Sequence, residues 1–338
     1  MLPVIRQQPF YPGQAGVGGS DVERGLRERS EGIVLFVDTN HPMATDAGDG
    51  TDPENPLLTI TGAMTRLTAL QTAIGKTLIG SVIVIAPGTY AESVTTPTGT
   101  DYVTVIGGGS NDMSPSWTSG SADLPCLIVA SHCWRFTGIR FHSPLNVPSV
   151  VLSRGADVPW GTAGNDAAST TIDHCMFLGN LTGMGGLAFH GAPALCFIRD
   201  NWFYYHNNAG NTAYGISVTS AGSANPYMCR IERNMFVEND NHITRAGGIG
   251  SFNVSMFLNN TFMTGSQVPT TGGVYLDLRA GTLGMNTVNG NVFPGDYSNT
   301  GGYYANAAAP GNWVGNIAED VLEAQVADNG FTIAPPAA

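Results

Sequence analysis

One phrase recurs through the second half of this chain with drifting spacing: a buried aliphatic, a short polar step, an asparagine and an aromatic. It reads Ile172-Asp-His-Cys-Met-Phe177, Ile198-Arg-Asp-Asn-Trp-Phe203, Ile231-Glu-Arg-Asn-Met-Phe236, Phe257-Leu-Asn-Asn-Thr-Phe262 and Val288-Asn-Gly-Asn-Val-Phe293. A weaker copy, Trp313-Val-Gly-Asn-Ile-Ala318, follows, and Phe136-Thr-Gly-Ile-Arg-Phe141 precedes the set. The copies end at 141, 177, 203, 236, 262, 293 and 318, so they recur every 25 to 36 residues. That period is the mark of a stacked, solenoid-like chain.

Apolar residues two apart flank each phrase, as in Cys196/Ile198 and Cys229/Ile231, which is strand alternation rather than a helical period. A second phrase interleaves: Gly-Gly-Leu-Ala-Phe189, Tyr-Gly-Ile-Ser-Val218, Gly-Gly-Ile-Gly-Ser-Phe252, Gly-Gly-Val-Tyr-Leu276 and Gly-Gly-Tyr-Tyr304. Each adds a short strand after a glycine corner, so every period holds at least two strands and room for a third. The expected fold is all-β, a parallel β-helix of about nine coils. Stacked coils place equivalent residues about 4.8 Å apart. Two dry columns follow: Phe141, Phe177, Phe203, Phe236, Phe262 and Phe293, and Phe136, Ile172, Ile198, Ile231, Phe257, Val288 and Trp313. Between them run Cys175, Asn201, Asn234, Asn260, Asn291 and Asn316. In-register amides bond one another and the turn backbone, so these asparagines read as a structural ladder rather than as catalysts.

Glycine (44), proline (20) and a 12% charged fraction suit one elongated domain of short strands and tight corners. The formal charge of -12, with Lys76 the only lysine, argues against a nucleic-acid partner. No apolar run approaches the roughly 18 residues that cross a bilayer, and the start lacks the charged and apolar regions of a secretory signal. No membrane partner and assembly in a cytosol are therefore expected. Cys175, Cys196 and Cys229 occupy interior columns and read as small buried hydrophobes.

The chain divides into an extended N-terminal arm (1–30), a cap with an amphipathic helix (31–80), the coils (81–318) and a C-terminal cap and tail (319–338). The helix has Thr59 or Thr61 as N-cap, Ile60, Ala63, Met64, Leu67, Leu70 and Ile74 on its apolar face, and Gly75 as stop. Its loop, Asp46-Ala-Gly-Asp49-Gly-Thr-Asp52-Pro-Glu54, clusters the hard oxygen ligands that calcium takes, without the spacing of an EF-hand. It reads as a turn, with no cofactor expected and calcium at Asp46, Asp49 and Asp52 as the alternative.

The order Val-Asp-x-Asn, an Asp/Gly-rich loop, Asn-Pro-Leu-x-Thr-Ile with a helix, and Ile-x-Val-x-Pro-Gly-x-Tyr90 resembles the N-terminal cap of right-handed parallel β-helix proteins of the pectin-lyase-like superfamily. With the coils, the resemblance spans about residues 31 to 320. It implies the fold and leaves function open, because the superfamily holds polysaccharide lyases, hydrolases, phage tail spikes and inactive virion proteins.

Cleavage of polysaccharide would need acids on an outward face. Asp173 and Glu232 share one outward column two coils apart, roughly 9.6 Å, near the upper end for an inverting pair, and Asp200 lies beside them. Arg199 stands between the first two, which favours a salt-bridge ladder over a general acid. No arginine constellation of the kind a lyase uses stands out. Trp202, Tyr204, Tyr205, Tyr214, Tyr303 and Tyr304 suit either sugar stacking or a subunit interface. The reading is a structural bacteriophage virion protein without catalytic residues. It is expected to be a trimeric head decoration or cement protein gripping the major capsid protein through Arg6, Phe10, Tyr11, Arg24, Arg27 and Arg29 of the arm. The alternatives are a tail-spike-like or bacterial polysaccharide hydrolase or lyase using Asp173, Asp200 and Glu232, and a non-catalytic glycan binder.

Overall fold

Alternation with a period of two, repeated at each coil, gives three parallel sheets in the computed structural model. It describes residues 32–108, 114–155, 165–210, 212–219, 225–245, 252–263, 276–278, 286–293, 304–305 and 312–318. Among the described residues the first sheet has ten strands, running from Val34–Val37 through Val82–Ile85 and Thr171–Asp173 to Asn312–Val314. The second has nine, from Thr89–Ala91 through Trp202–Tyr204 to Ile317–Ala318, and the third has eight, from Val94–Thr95 to Tyr304–Ala305. The chain visits the three sheets in turn and pairs each strand in parallel with its counterpart one coil away. It is a single-stranded parallel β-helix.

Register places the interior columns side by side. Phe136, Ile172, Ile198, Ile231, Phe257 and Val288 are Cα partners in succession and are fully buried. Toward the N-terminus the column continues through Val105, Ile83 and Leu35. In the second sheet the rings of Phe177 and Phe203 lie 4.5 Å apart at 7°, and those of Phe262 and Phe293 lie 4.8 Å apart at 4°. Trp117 extends this stack below Phe141, and Tyr90 pairs with Trp117 one coil earlier. Buried aromatic faces stacked at the strand spacing supply much of the dispersion and burial energy of the rod.

Between the first and second sheets the chain turns at one left-handed residue per coil. That position holds Gly138, His174, Asp200, Arg233, Asn259, Gly290 and Gly315, with φ between 51° and 71°. The next residue is the ladder position. Each Asn Oδ1 accepts the backbone N–H of its neighbour one coil back, as Asn234 does from Asn201 at 3.1 Å and Asn260 from Asn234 at 3.0 Å. Each Nδ2 donates to a first-sheet carbonyl, Asn234 to Ile198 at 2.8 Å and Asn260 to Ile231 at 2.9 Å. Asn291 and Asn316 repeat the pattern, and Cys175 ends it by donating its N–H to Asn201. The ladder satisfies backbone groups that a tight buried turn would otherwise strand.

The second phrase aligns with the third sheet at Gly185–Gly191, Tyr214–Val218, Leu276–Asp277 and Tyr304–Ala305. In the remaining coil the third-sheet strand is Asn241–Arg245, and residues 247–251 of the Gly-Gly-Ile-Gly-Ser-Phe252 phrase lie outside the described residues. Phe252 still reaches the interior, edge-on to Phe189 and Phe257.

The helix Ile60–Ile74 starts at Thr59, whose Oγ1 accepts from Gly62 N at 2.8 Å, and stops at Gly75 in the left-handed region at φ 73°. Ile60, Ala63, Met64 and Leu67 are buried. Ile74, assigned to that face from its spacing, is instead 52% exposed, and Gln71 takes the buried position in the last turn. The Glu92 carboxylate accepts from the N–H groups of Ile60 and Thr61 at 2.9 and 2.8 Å, anchoring the positive helix end to the first coils. Glu92→Ala is expected to lower stability by about 1–2 kcal/mol, and Glu92→Gln by less because one acceptor oxygen remains. Urea unfolding of both variants checks this order.

Candidate functional site

The outward faces of the first two sheets meet along the left-handed turn, and the candidate acids stand on that edge. Register puts Thr137, Asp173, Arg199, Glu232, Leu258 and Asn289 in one outward column of the first sheet. A parallel outward column, two residues earlier, holds Arg135, Thr171, Phe197, Arg230 and Met256. Asp200 and Arg233 sit on the turn itself, pushed outward by the left-handed backbone.

Four arginines converge on three carboxylates. Asp173 receives Arg135 Nη2 at 2.9 Å and Arg199 Nη2 at 3.3 Å, with His174 Nδ1 at 3.7 Å. Glu232 pairs with Arg230 and with Arg233 Nη1 at 3.0 Å. Asp200 takes Arg233 as a two-pronged clamp, Nε to Oδ1 and Nη2 to Oδ2, both at 2.7 Å. That clamp holds the Asp200 carboxyl below the ordinary aspartate range. The arginine cluster was missed in the sequence because Arg135 reaches Asp173 diagonally across coils and Arg230 reaches Glu232 along its own strand, both from the column two residues earlier.

The layering within this ridge is uneven. Side chains of Asp173 and Glu232 are 0% and 6% exposed, whereas the four arginines are 37–46% exposed. The acids lie beneath and the guanidinium groups face water. Carboxylates already engaged by two guanidinium groups each are poorly placed to act on a leaving group.

The aromatics divide. Trp202 and Tyr204 point outward from the second sheet, 50% and 41% exposed, and the Tyr205 ring stacks on Tyr204 at 5.6 Å. Tyr214 is buried. Tyr304 belongs to a third-sheet strand, and Tyr303 lies outside the described residues.

The loop acids serve their own turns. Asp46 Oδ1 accepts from Leu58 N and Thr59 N at 2.9 and 3.0 Å, Asp49 Oδ1 from Thr51 N at 3.0 Å and Asp52 Oδ1 from Glu54 N at 3.0 Å. Gly62 leaves the space that Asp46 enters, since a Cβ there would meet Asp46 Oδ1 at 2.2 Å. Among the described residues no group of three or more His, Cys, Asp or Glu side chains is placed to hold a metal ion. The five cysteines are free, and burial pushes the Cys126 and Cys175 thiols up to about 12. Arg6, Phe10, Tyr11, Arg24, Arg27 and Arg29 lie outside the described residues, as does the C-terminal segment 319–338. Among the described residues no helix is long and apolar enough to cross a membrane.

No known family matches the sequence, and no curated protein matches it. Similar solved structures are parallel β-helix proteins. An alginate lyase from Paenibacillus sp. str. FPU-7 is 16% identical, covering 76% of this chain and 94% of its own, with a TM-score of 0.46. A pectate lyase is 14% identical over 91% of this chain and 82% of its own, at 0.47, and the pectin methylesterase from Aspergillus niger is 17% identical over 86% and 87%, at 0.43.

Proposed function

We infer that this chain is a non-catalytic structural component of an assembled particle, in its most specific form a bacteriophage head decoration or cement protein. One observation carries the non-catalytic part: the three candidate acids on neighbouring coils, Asp173, Asp200 and Glu232, are each already paired with arginine. An inverting pair needs one carboxyl free to reach the leaving group and one free to activate water, and all three carboxyls of this ridge are engaged by guanidinium groups.

A second reading, cleavage of an acidic polysaccharide, is favoured by the same four arginines, which present guanidinium groups to solvent beside three carboxylates. Incubation with neutral and uronate-bearing polysaccharides separates the two. No new reducing ends and no unsaturated product are expected. Cleavage lost in a folded Asp200→Asn variant would transfer the assignment to the enzyme. Immunolabelling of phage particles from the source lysate checks the virion role, with label expected on heads and its absence from every particle overturning it.

A further inference from the structure

The second sheet turns an apolar face to solvent. Its outward positions run Met176, Trp202, Met235, Thr261, Val292 and Ile317 in one column and Leu178, Tyr204, Val237 and Met263 in the next, so Thr261 is the one polar side chain among them. Trp202, Tyr204, Met263, Val292 and Ile317 are 39–64% exposed. Six coils at the strand spacing make a face about 24 Å long. Soluble monomers rarely leave so largely apolar a strip in water, and methionine with Trp and Tyr is the composition of a protein contact.

We propose that this face is the contact between copies of this chain, closing three β-helices side by side around a common axis. Three features select a second copy as the occupant. The face is flat and ridged with a repeat of about 4.8 Å along the rod, a spacing that another β-helix matches coil for coil. It carries no charge over Met176 to Met263, so two chains of formal charge -12 approach there with least repulsion.

Its two long borders are complementary. One is the ridge whose exposed groups are Arg199 and Arg233, and the other carries Glu238, whose carboxylate lies against the Tyr204 hydroxyl and raises it above the ordinary tyrosine range. In a head-to-tail contact the arginine border of one copy meets the Glu238 border of the next, and such contacts close as rings. The inference goes beyond the non-catalytic reading and does not need it.

Light scattering of the full chain tests it. The wild type is expected at three times the chain mass, and Trp202→Glu with Met235→Lys at one chain mass with unchanged far-ultraviolet circular dichroism. Both positions face outward, so the fold should survive. If the pair misfolds, Glu238→Arg, on the rim, is expected to raise the trimer dissociation constant at least tenfold. A wild-type monomer at micromolar concentration overturns the proposal, as does a trimer indifferent to both sets of substitutions. So does an oligosaccharide that quenches Trp202 fluorescence on a monomer, which would make the face a sugar platform. The polysaccharide assay is independent, so a monomer without cleavage activity sinks the interface and leaves the structural reading standing.

Discussion

Stability is expected to fall by about 2.7 kcal/mol for each pH unit between pH 6 and pH 4, a slope of two protons. His206 and His242 are buried at the corner between the second and third sheets. The His242 ring lies 6.0 Å from Phe236 and 5.6 Å from Phe262, and its Nδ1 meets Asn239 Nδ2 at 3.1 Å. Burial pushes both imidazoles down to about 3. In the unfolded chain each titrates near 6.5, so below that pH the unfolded state gains two protons that the folded state refuses. The stability is complete above pH 6.5 and drains away as pH falls toward 3. The Asp200 clamp adds a loss in the same direction at lower pH, because its folded pKa is depressed and its contribution fades as the carboxyl protonates. Urea unfolding at pH 7, 6, 5 and 4.5 reads the slope, and His206→Leu is expected to halve it. A flat profile from pH 7 to pH 5 would mean that the corner admits protons without unfolding.

Stacking made the interior legible before any coordinates. Ile198 and Ile231, or Phe203 and Phe236, share a position because parallel coils force like onto like, and the asparagines are legible because their amides must lie in register to bond. Three features stayed hidden for physical reasons. Tyr90 and Trp117 belong to the aromatic stack, yet the residues around them do not spell the later phrase, since ring size and burial are all that the column demands there. The strand Asn241–Arg245 stayed hidden because it opens on Asn241 and His242, where the phrase elsewhere carries glycine. The burial of Asp173 depends on the stems of Arg135 and Arg199 folding over it, and an outward column in the sequence carries no record of what lies across it.

That buried carboxylate supplies the other large effect and bears on function. Asp173→Ala is expected to cost about 3 kcal/mol, from the lost contacts of Arg135 and Arg199 and the cavity beneath them, without any change in activity toward polysaccharide. The loss stays at the lower end for a broken buried pair, because both guanidinium groups are more than a third exposed and can turn to water. Replacing this set with Arg135→Met, Asp173→Leu and Arg199→Met should return stability to within about 1 kcal/mol of the wild type, since no unpaired charge is then left in place of Asp173 and its two arginines. Urea midpoints of the single and triple variants decide it. A catalytic Asp173 predicts the opposite pattern, little change in stability and a loss of turnover that the triple variant cannot restore. A structural Asp173 predicts a fold weakened by the single change and rescued by the triple, with the arginine border of the proposed interface diminished in proportion to the guanidinium groups removed.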